Sequence, residues 1–272
     1  MVATQSQNSQ ILDNYKLMRD RVVLITGASR GIGAATAKLL AGHGAAVGVN
    51  YYGSEEAAGQ VVEAIAQSAR SANASEGGQA LAVKADVRDP QQVDAMVQQV
   101  AEAFGLIDTL VINANAGFPI APFIDYRWED FEAKLVGELK GAFFPCKAVV
   151  PSMIEQKRGC IIAVSSSLSR SPAEGFSAHS TAKSGLNAFI KSLALELGPH
   201  GIRANVVAPG LVLTDATAQL PQEDKDASAQ MVPLKRNGLP EDIAGAILLL
   251  ASQEARFISG AYLPVSGGLQ ML

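Results

Sequence analysis

Charge is scarce in this chain and nearly balanced. Asp, Glu, Lys and Arg make up only 18% of its 272 residues and the formal net charge is −4, so the sequence has neither the basic footprint of a nucleic-acid binder nor the composition of a charged disordered chain. Cysteine is rarer still. Cys146 and Cys160 are the whole complement, one in a predicted helix and one beside a predicted buried strand, which points to reduced thiols in an intracellular protein rather than a disulfide framework. No window is apolar for long enough to span a membrane. The first 18 residues, rich in Gln, Ser and Asn, lack the basic start and apolar run of a secretory signal, so a cytoplasmic location is expected. Asn73-Ala74-Ser75 matches the glycosylation triplet, but with no secretory route indicated it reads as a chance match in a polar loop. The three histidines form no metal-ligand spacing with the acidic residues, and no catalytic metal is expected. Two of them, His43 and His200, fall at predicted helix ends, where capping is the ordinary role.

Apolar runs and amphipathic stretches, by contrast, recur evenly, with no Pro/Ser-rich linker and no solenoid repeat between them. A polar tail at 1–19 and one domain over 20–272 are therefore expected. Strands are predicted at Val22–Ile25, Ala45–Tyr51, Ala80–Lys84, Thr109–Asn113, Cys160–Ser165, Arg203–Ala208 and Ala261–Pro264. Between them lie predicted helices at Ile32–Leu40, Glu55–Ala69, Pro90–Phe104, Trp128–Met153, Ala178–Leu197 and Glu241–Leu250, a polar loop at Ser71–Gln79, and a polar stretch, Asp215–Ala229, read as a mobile flap. Continuous apolar strands alternating with helices predict a Rossmann-like, doubly wound parallel sheet with helices on both faces.

Thr26-Gly27-Ala28-Ser29-Arg30-Gly31-Ile32-Gly33 follows the first strand and opens the first helix, the order a dinucleotide site requires. Gly27 permits the turn, Gly31 lets the backbone approach a pyrophosphate, and Gly33 lets helix and sheet pack closely. With this motif the chain resembles the classical short-chain dehydrogenase/reductase family, and is similar to 3-oxoacyl-carrier-protein reductases, over roughly residues 20 to 270. The resemblance includes Asp86, whose implied role is to bond the adenine, with Val87 after it. It also includes Asn115-Ala116-Gly117 closing the adenine pocket, and Pro209-Gly210 with Thr214 over the nicotinamide. The implied cofactor-binding set is thus Gly27, Ser29, Arg30, Gly31, Ile32, Gly33, Asn50, Tyr51, Asp86, Val87, Asn115, Ala116, Gly117, Lys183, Pro209, Gly210 and Thr214. Where an acidic residue would select a free ribose hydroxyl, at the end of the second strand, the chain has Asn50 and Tyr51. Arg30 can supply cationic donors to a 2′-phosphate, so NADP(H) is expected; Glu55 and Glu56, slightly beyond, weaken that preference if their helix starts near the ribose.

The reacting centre departs from the family pattern. His179 stands four residues before Lys183, where the resemblance implies the proton-transferring tyrosine; Ser166 matches the carbonyl-positioning serine, with Ser165 or Ser167 replacing it if the strand register shifts. Glu138 replaces the asparagine of a water-linked proton relay and is expected to pair with Lys183, or with Lys140. Ser166, His179, Lys183 and Glu138 are the candidate catalytic residues. His179, with a free pKa of about 6.5, suits acid/base work, with Lys183 tending to lower that value and Glu138 to raise it.

Three readings stay open at this point. The first is an NADP(H)-dependent reductase of a small or medium organic C=O or C=N substrate. The second is a redox-neutral cyclase, isomerase or lyase of specialised biosynthesis, and the third a noncatalytic nucleotide-binding scaffold or sensor. Gly117–Ile120, Leu168–Phe176 and the flap after Thr214 are the expected substrate walls, with Arg170 facing either a polar substrate end or water. The resemblance implies a homotetramer through the two long helices and the last strand, with a homodimer as second choice. Neither nucleic acid nor membrane is an expected partner.

Overall fold

The computed structural model describes residues 16–71 and 78–271; the glycosylation triplet, most of the polar tail and most of the loop at Ser71–Gln79 lie outside them. Seven strands, β1 (Val22–Ile25), β2 (Ala46–Tyr51), β3 (Gln79–Lys84), β4 (Thr109–Ile112), β5 (Gly159–Val164), β6 (Ile202–Pro209) and β7 (Tyr262–Val265), alternate with seven helices. The helices are α1 (Gly31–Gly42), α2 (Glu55–Ser71), α3 (Pro90–Phe104), α4 (Trp128–Gln156), α5 (Ser177–Leu197), α6 (Gln222–Met231) and α7 (Pro240–Ala251). Every strand pair is parallel, in the order β3-β2-β1-β4-β5-β6-β7. This is the doubly wound Rossmann-like sheet that the alternating pattern predicts.

Two apolar clusters account for the continuous hydrophobicity of the strands. Successive side chains of a strand point to opposite faces. Val23 and Ile25 of β1, with Val47 and Val49 of β2, therefore join α1, α2 and α7 in one cluster, while Leu24 of β1 joins α3, α4 and α5 in the other. Both faces are covered, which removes any reason for polar alternation. Local signals set several boundaries. The Asp89 carboxylate accepts from the N–H groups of Gln91 and Gln92 ahead of Pro90, an N-cap followed by proline at the first helical position. His43 closes α1, its own N–H bonding back to Leu39 and Leu40.

At the opposite end of the sheet from the glycine turn, the buried Asp108 carboxylate is a knot. It accepts from Arg21 Nη1 at 3.1 Å, Arg158 Nη2 at 2.9 Å, Val22 N at 3.1 Å and Thr109 Oγ1 at 2.7 Å. The stretch read as a flap is more ordered than that reading. It holds a 3-10 turn at Asp215–Thr217 and α6, which begins after Pro221 with Glu223 and Asp224 in its first turn, where the helix dipole favours acids. None of the residues of α6 is buried, so apolar periodicity could not reveal it. Both cysteines are free thiols within the core.

Candidate active site

The residues expected to form the site follow the carboxyl ends of the strands, around the point between β1 and β4 where the strand order reverses. The glycine turn is stapled from β4. Thr26 Oγ1 accepts from the N–H groups of Asn113 and Ala114 at 2.9 and 3.0 Å, and the Asn113 amide donates to the carbonyls of Thr26 and Gly27, both at 2.9 Å. Gly27 and Gly31 have φ of +61° and +55°, and a Cβ on Gly33 would lie 2.6 Å from both Gly27 O and Asn113 Nδ2. Glycine is required at all three. Arg30 is the N-cap of α1 and makes no side-chain cap bond, and the first turn has no acidic residue. That helix end keeps its amide donors for a phosphate, which fits a dinucleotide. Thr214 lies just across the turn, with its Cγ2 3.4 Å from where a Gly31 Cβ would be.

The ribose end differs from the sequence reading. Asn50 is buried: its Oδ1 accepts from Gly27 N at 3.1 Å, and its Nδ2 donates to the carbonyls of Ala85 and Val83 at 3.1 and 3.4 Å. It supports the turn from beneath, with its polar atoms committed to backbone. Tyr51 points into the core. The exposed groups at this strand end are Tyr52 and, across from it, Arg30, whose guanidinium donates to Ser54 Oγ and stands 4.0 Å from the Asp215 carboxylate. Asp86 is engaged by Arg88 through contacts of 2.7–3.2 Å, and that hydrogen-bonded guanidinium holds its carboxyl below the usual range. Arg88 also lies over the Tyr52 ring, 5.9 Å from its centroid. Val87 packs where α4 has Gly141.

Deeper in, α4 carries Lys134 and Glu138 one turn apart and α5 carries His179 and Lys183 one turn apart. Lys183 Nζ donates to Glu138 Oε1 at 2.6 Å and to Val164 O at 2.8 Å. Lys134 Nζ donates to Glu138 Oε2 at 2.6 Å, Asn115 Oδ1 at 2.7 Å and Ala116 O at 2.9 Å. One buried carboxylate is thus bracketed by two buried ammonium groups; Lys140 is exposed. Burial pushes the Glu138 carboxyl up, but Lys183 and Lys134 together outweigh it and hold the group well below the usual range. Burial pushes Lys134 down to about 8, against the pull of Glu138.

His179 feels the same cluster. Burial, then the positive charges of Lys183 and Lys134, lower it to about 3 over the opposing effect of Glu138. The net shift is downward, in the direction expected of Lys183, and it favours the neutral imidazole. Its ring stacks on Phe118, with centroids 4.7 Å apart, and Phe176 meets both rings edge-on. Nδ1 is buried without a hydrogen-bond partner, a cost that a bound polar group would remove.

The glycine turn, the reversed strand order and the chain of contacts from Asn115 through Lys134 and Glu138 to Lys183 carry a clear kinship. Residues 27–270 match the family described as Enoyl-(Acyl carrier protein) reductase. The chain belongs to the short-chain dehydrogenase/reductase family. It is 40% identical over 256 residues to an L-rhamnose 1-dehydrogenase (NAD(P)(+)) of Azotobacter vinelandii, covering 93% of this chain and 98% of the relative. Against a 3-oxoacyl-[acyl-carrier-protein] reductase of Synechocystis sp. it is 39% identical over 252 residues, covering 92% and 97%. A solved dehydrogenase/reductase from Sinorhizobium meliloti superposes with a TM-score of 0.84 at 32% identity, over 96% of this chain and all of that one. The protein is an oxidoreductase of this family that uses a nicotinamide cofactor. Among its described residues no helix is long and apolar enough to cross a membrane, and no group of three or more His, Cys, Asp or Glu could hold a metal ion.

In this short-chain dehydrogenase/reductase, Ser166 caps a 3-10 turn: its Oγ accepts from Leu168 N at 3.2 Å, which leaves its O–H free to donate. Ser165 and Ser167 are buried, and Ser165 Oγ is directed at the Lys183 carbonyl at 3.5 Å. The C-terminal segment straps the Ser166 loop. Tyr262 OH donates to Ser166 O at 3.2 Å, and Gln270 Nε2 donates to Ser167 O at 2.7 Å and Ser171 Oγ at 2.9 Å. Arg170 lies over the Tyr262 ring, 3.9 Å from its centroid. The two expected substrate walls meet through the Phe118 and Phe176 rings, 6.0 Å between centroids, and just beyond the first wall Ala121 N donates to Gly175 O at 3.3 Å. Lys134, Tyr262 and Gln270 were not singled out from sequence. The four-residue spacing of Lys134 and Glu138 was a usable signal for the first; nothing local marks the other two, which reach the site only through the fold.

Proposed function

We propose that this protein is an NADP(H)-dependent reductase of a small or medium organic carbonyl compound, working through a divergent Ser166-His179-Lys183 centre. The observation that carries the proposal is the excess of positive charge buried beside a neutral His179. A bound nicotinamide would supply the hydride. The chain's own residues then have to hold the carbonyl oxygen and stabilise the negative charge that grows on it. Ser166 offers a free hydroxyl proton, and a neutral imidazole donates a hydrogen bond but does not serve as a strong acid at neutral pH. Lys183 spends two of its three N–H donors on Glu138 and Val164 O, which keeps one for the nicotinamide ribose or the substrate oxygen. The same field that keeps a proton off His179 opposes an iminium ion and favours a developing alkoxide, so C=O is preferred here over a charged C=N.

Arg30 and Ser54 are read as the 2′-phosphate contacts, Tyr52 and Arg88 as the flank of the adenosine, and Asp86, Val87, Asn115–Gly117 and Pro209–Thr214 as the remaining walls of the cofactor. No carboxylate lies between Tyr51 and Ser54, but Glu55 and Glu56 open α2 directly after Ser54 and the Asp215 carboxylate stands 4.0 Å from Arg30, so Arg30 has to outweigh them at a phosphate. Phe118, Phe176 and His179 make the substrate side largely aromatic. A homotetramer, with a homodimer second, is supported by apolar residues left exposed on the two long helices, Phe143 on α4 and Leu195 on α5. A redox-neutral reaction in the same pocket is the competing reading, favoured by the phenol that His179 replaces.

A matched ketone and cyclic iminium substrate separate these readings. The ketone is expected to consume NADPH at the higher kcat/KM. His179→Phe should lower that turnover about tenfold or more while leaving NADPH affinity within about threefold. Conversion of substrate without NADPH consumption would establish the redox-neutral reaction instead, and unchanged turnover in the variant, with hydride transfer rate-limiting, would remove His179 from the chemistry.

A further inference from the structure

Lys134 lies outside the Ser166-His179-Lys183 centre, yet it is among the most deeply buried side chains of the molecule, with no solvent exposure at all. Burying an ammonium is costly even when it is paired, and Lys183 alone already neutralises Glu138. Methionine or leucine at this helical position would fill the same buried space without that cost. A second cation here therefore calls for an explanation that local stability does not supply.

We propose that Lys134 is a positioning residue of the active centre: it fixes the Glu138 carboxylate across Lys183, ties that pair to the Asn115–Ala116 turn, and leaves the site with one positive charge in excess. Its three N–H donors are fully used, on Glu138 Oε2, Asn115 Oδ1 and Ala116 O. With each Glu138 oxygen held by a different lysine at 2.6 Å, the carboxylate cannot rotate away from Lys183. Asn115 and Ala116 belong to the segment after β4 that borders the cofactor cradle, so the same ammonium joins the cradle to the lysine of α5. The charge also reaches the reacting side. Lys134 Nζ lies 5.1 Å from the centroid of the Phe118 ring, which stacks on His179. Three charged groups face His179: Lys183 from its own helix, and Lys134 and Glu138 from α4. Two cations against one anion leave a positive field around the imidazole.

The catalytic consequence, stabilisation of a developing alkoxide, rests on the reductase reading above; the charge itself is measurable without a substrate. Histidine-labelled protein titrated by NMR, with His179 assigned from the His179→Phe spectrum, reads the field directly. In the full-length protein His179 should stay neutral down to about pH 4. Lys134→Met removes one cation and unmasks part of Glu138, and both effects act in the same direction. The titration of His179 should move up by at least about one pH unit. Lys134→Gln keeps an amide donor for Glu138 without the charge, should shift His179 likewise, and decides the matter if the methionine variant does not fold. A titration unchanged in either folded variant overturns the proposal. A glutamine variant that behaves as wild type while the methionine variant shifts overturns the charge role and leaves packing as the cause. Failure of the protein to reduce any carbonyl would sink the reductase reading and leave this titration untouched.

Discussion

His179 is the residue on which the proposed chemistry turns, and the lowering of its pKa has a consequence beyond the active site. Its folded pKa, about 3, lies below the unfolded value of about 6.5. Between those limits the unfolded chain binds a proton that the native protein refuses, so stability falls as pH drops through this window. The loss from this one residue amounts to as much as ~1.4 kcal/mol per pH unit. His179→Phe should flatten the dependence between about pH 6 and 4, as measured by urea unfolding at a series of pH values. An identical slope in the variant would show that the imidazole is not shielded as the burial and the two lysines imply.

At the scale of elements, the sheet is fixed at both ends by polar groups rather than by apolar packing alone. Thr26 and Asn113 pin the glycine turn at one end, and Asp108 gathers Arg21, Arg158 and the β1 backbone at the other. Asp108→Ala leaves the buried Arg21 without its carboxylate and should cost about 3–5 kcal/mol in chemical denaturation, with the cofactor site intact in whatever fraction stays folded. A loss below about 1 kcal/mol would mean that Arg21 finds water or another acceptor. This layering explains what the sequence made legible. Strands buried on both faces and helices with caps read directly, as at Val22–Ile25 and Asp89-Pro90. The helix at Gln222–Met231 did not, because a helix with no buried face has no apolar period to detect. Asn50 was misread for a related reason. Its place at the end of β2 is what the motif implies, but the direction of its side chain depends on Ala85 and Gly27, which are distant in the chain. The departures at His179 and Glu138 were visible in the sequence, whereas the contact of Lys134 with the Glu138–Lys183 pair needed the packing of α4 against α5.

The molecule as a whole couples a standard cofactor half to an altered reacting half. The glycine turn and the uncapped start of α1 suit the phosphates of a dinucleotide, and the Arg30–Ser54 pair is proposed to take the 2′-phosphate. The cluster around Glu138 puts two buried lysines where the proposal needs a positive field. On the proposed reading both halves work with a 2′-phosphorylated cofactor. The most direct test is a fluorescence titration of cofactor-stripped protein with NADPH and NADH under matched conditions, repeated with Arg30→Ala. Saturable binding with a clear preference for NADPH, and an arginine variant that loses on the order of tenfold or more for NADPH while NADH changes little, is the expected result. Equal losses for the two cofactors would contradict the 2′-phosphate assignment, and no binding of either to folded protein would contradict the reductase account itself.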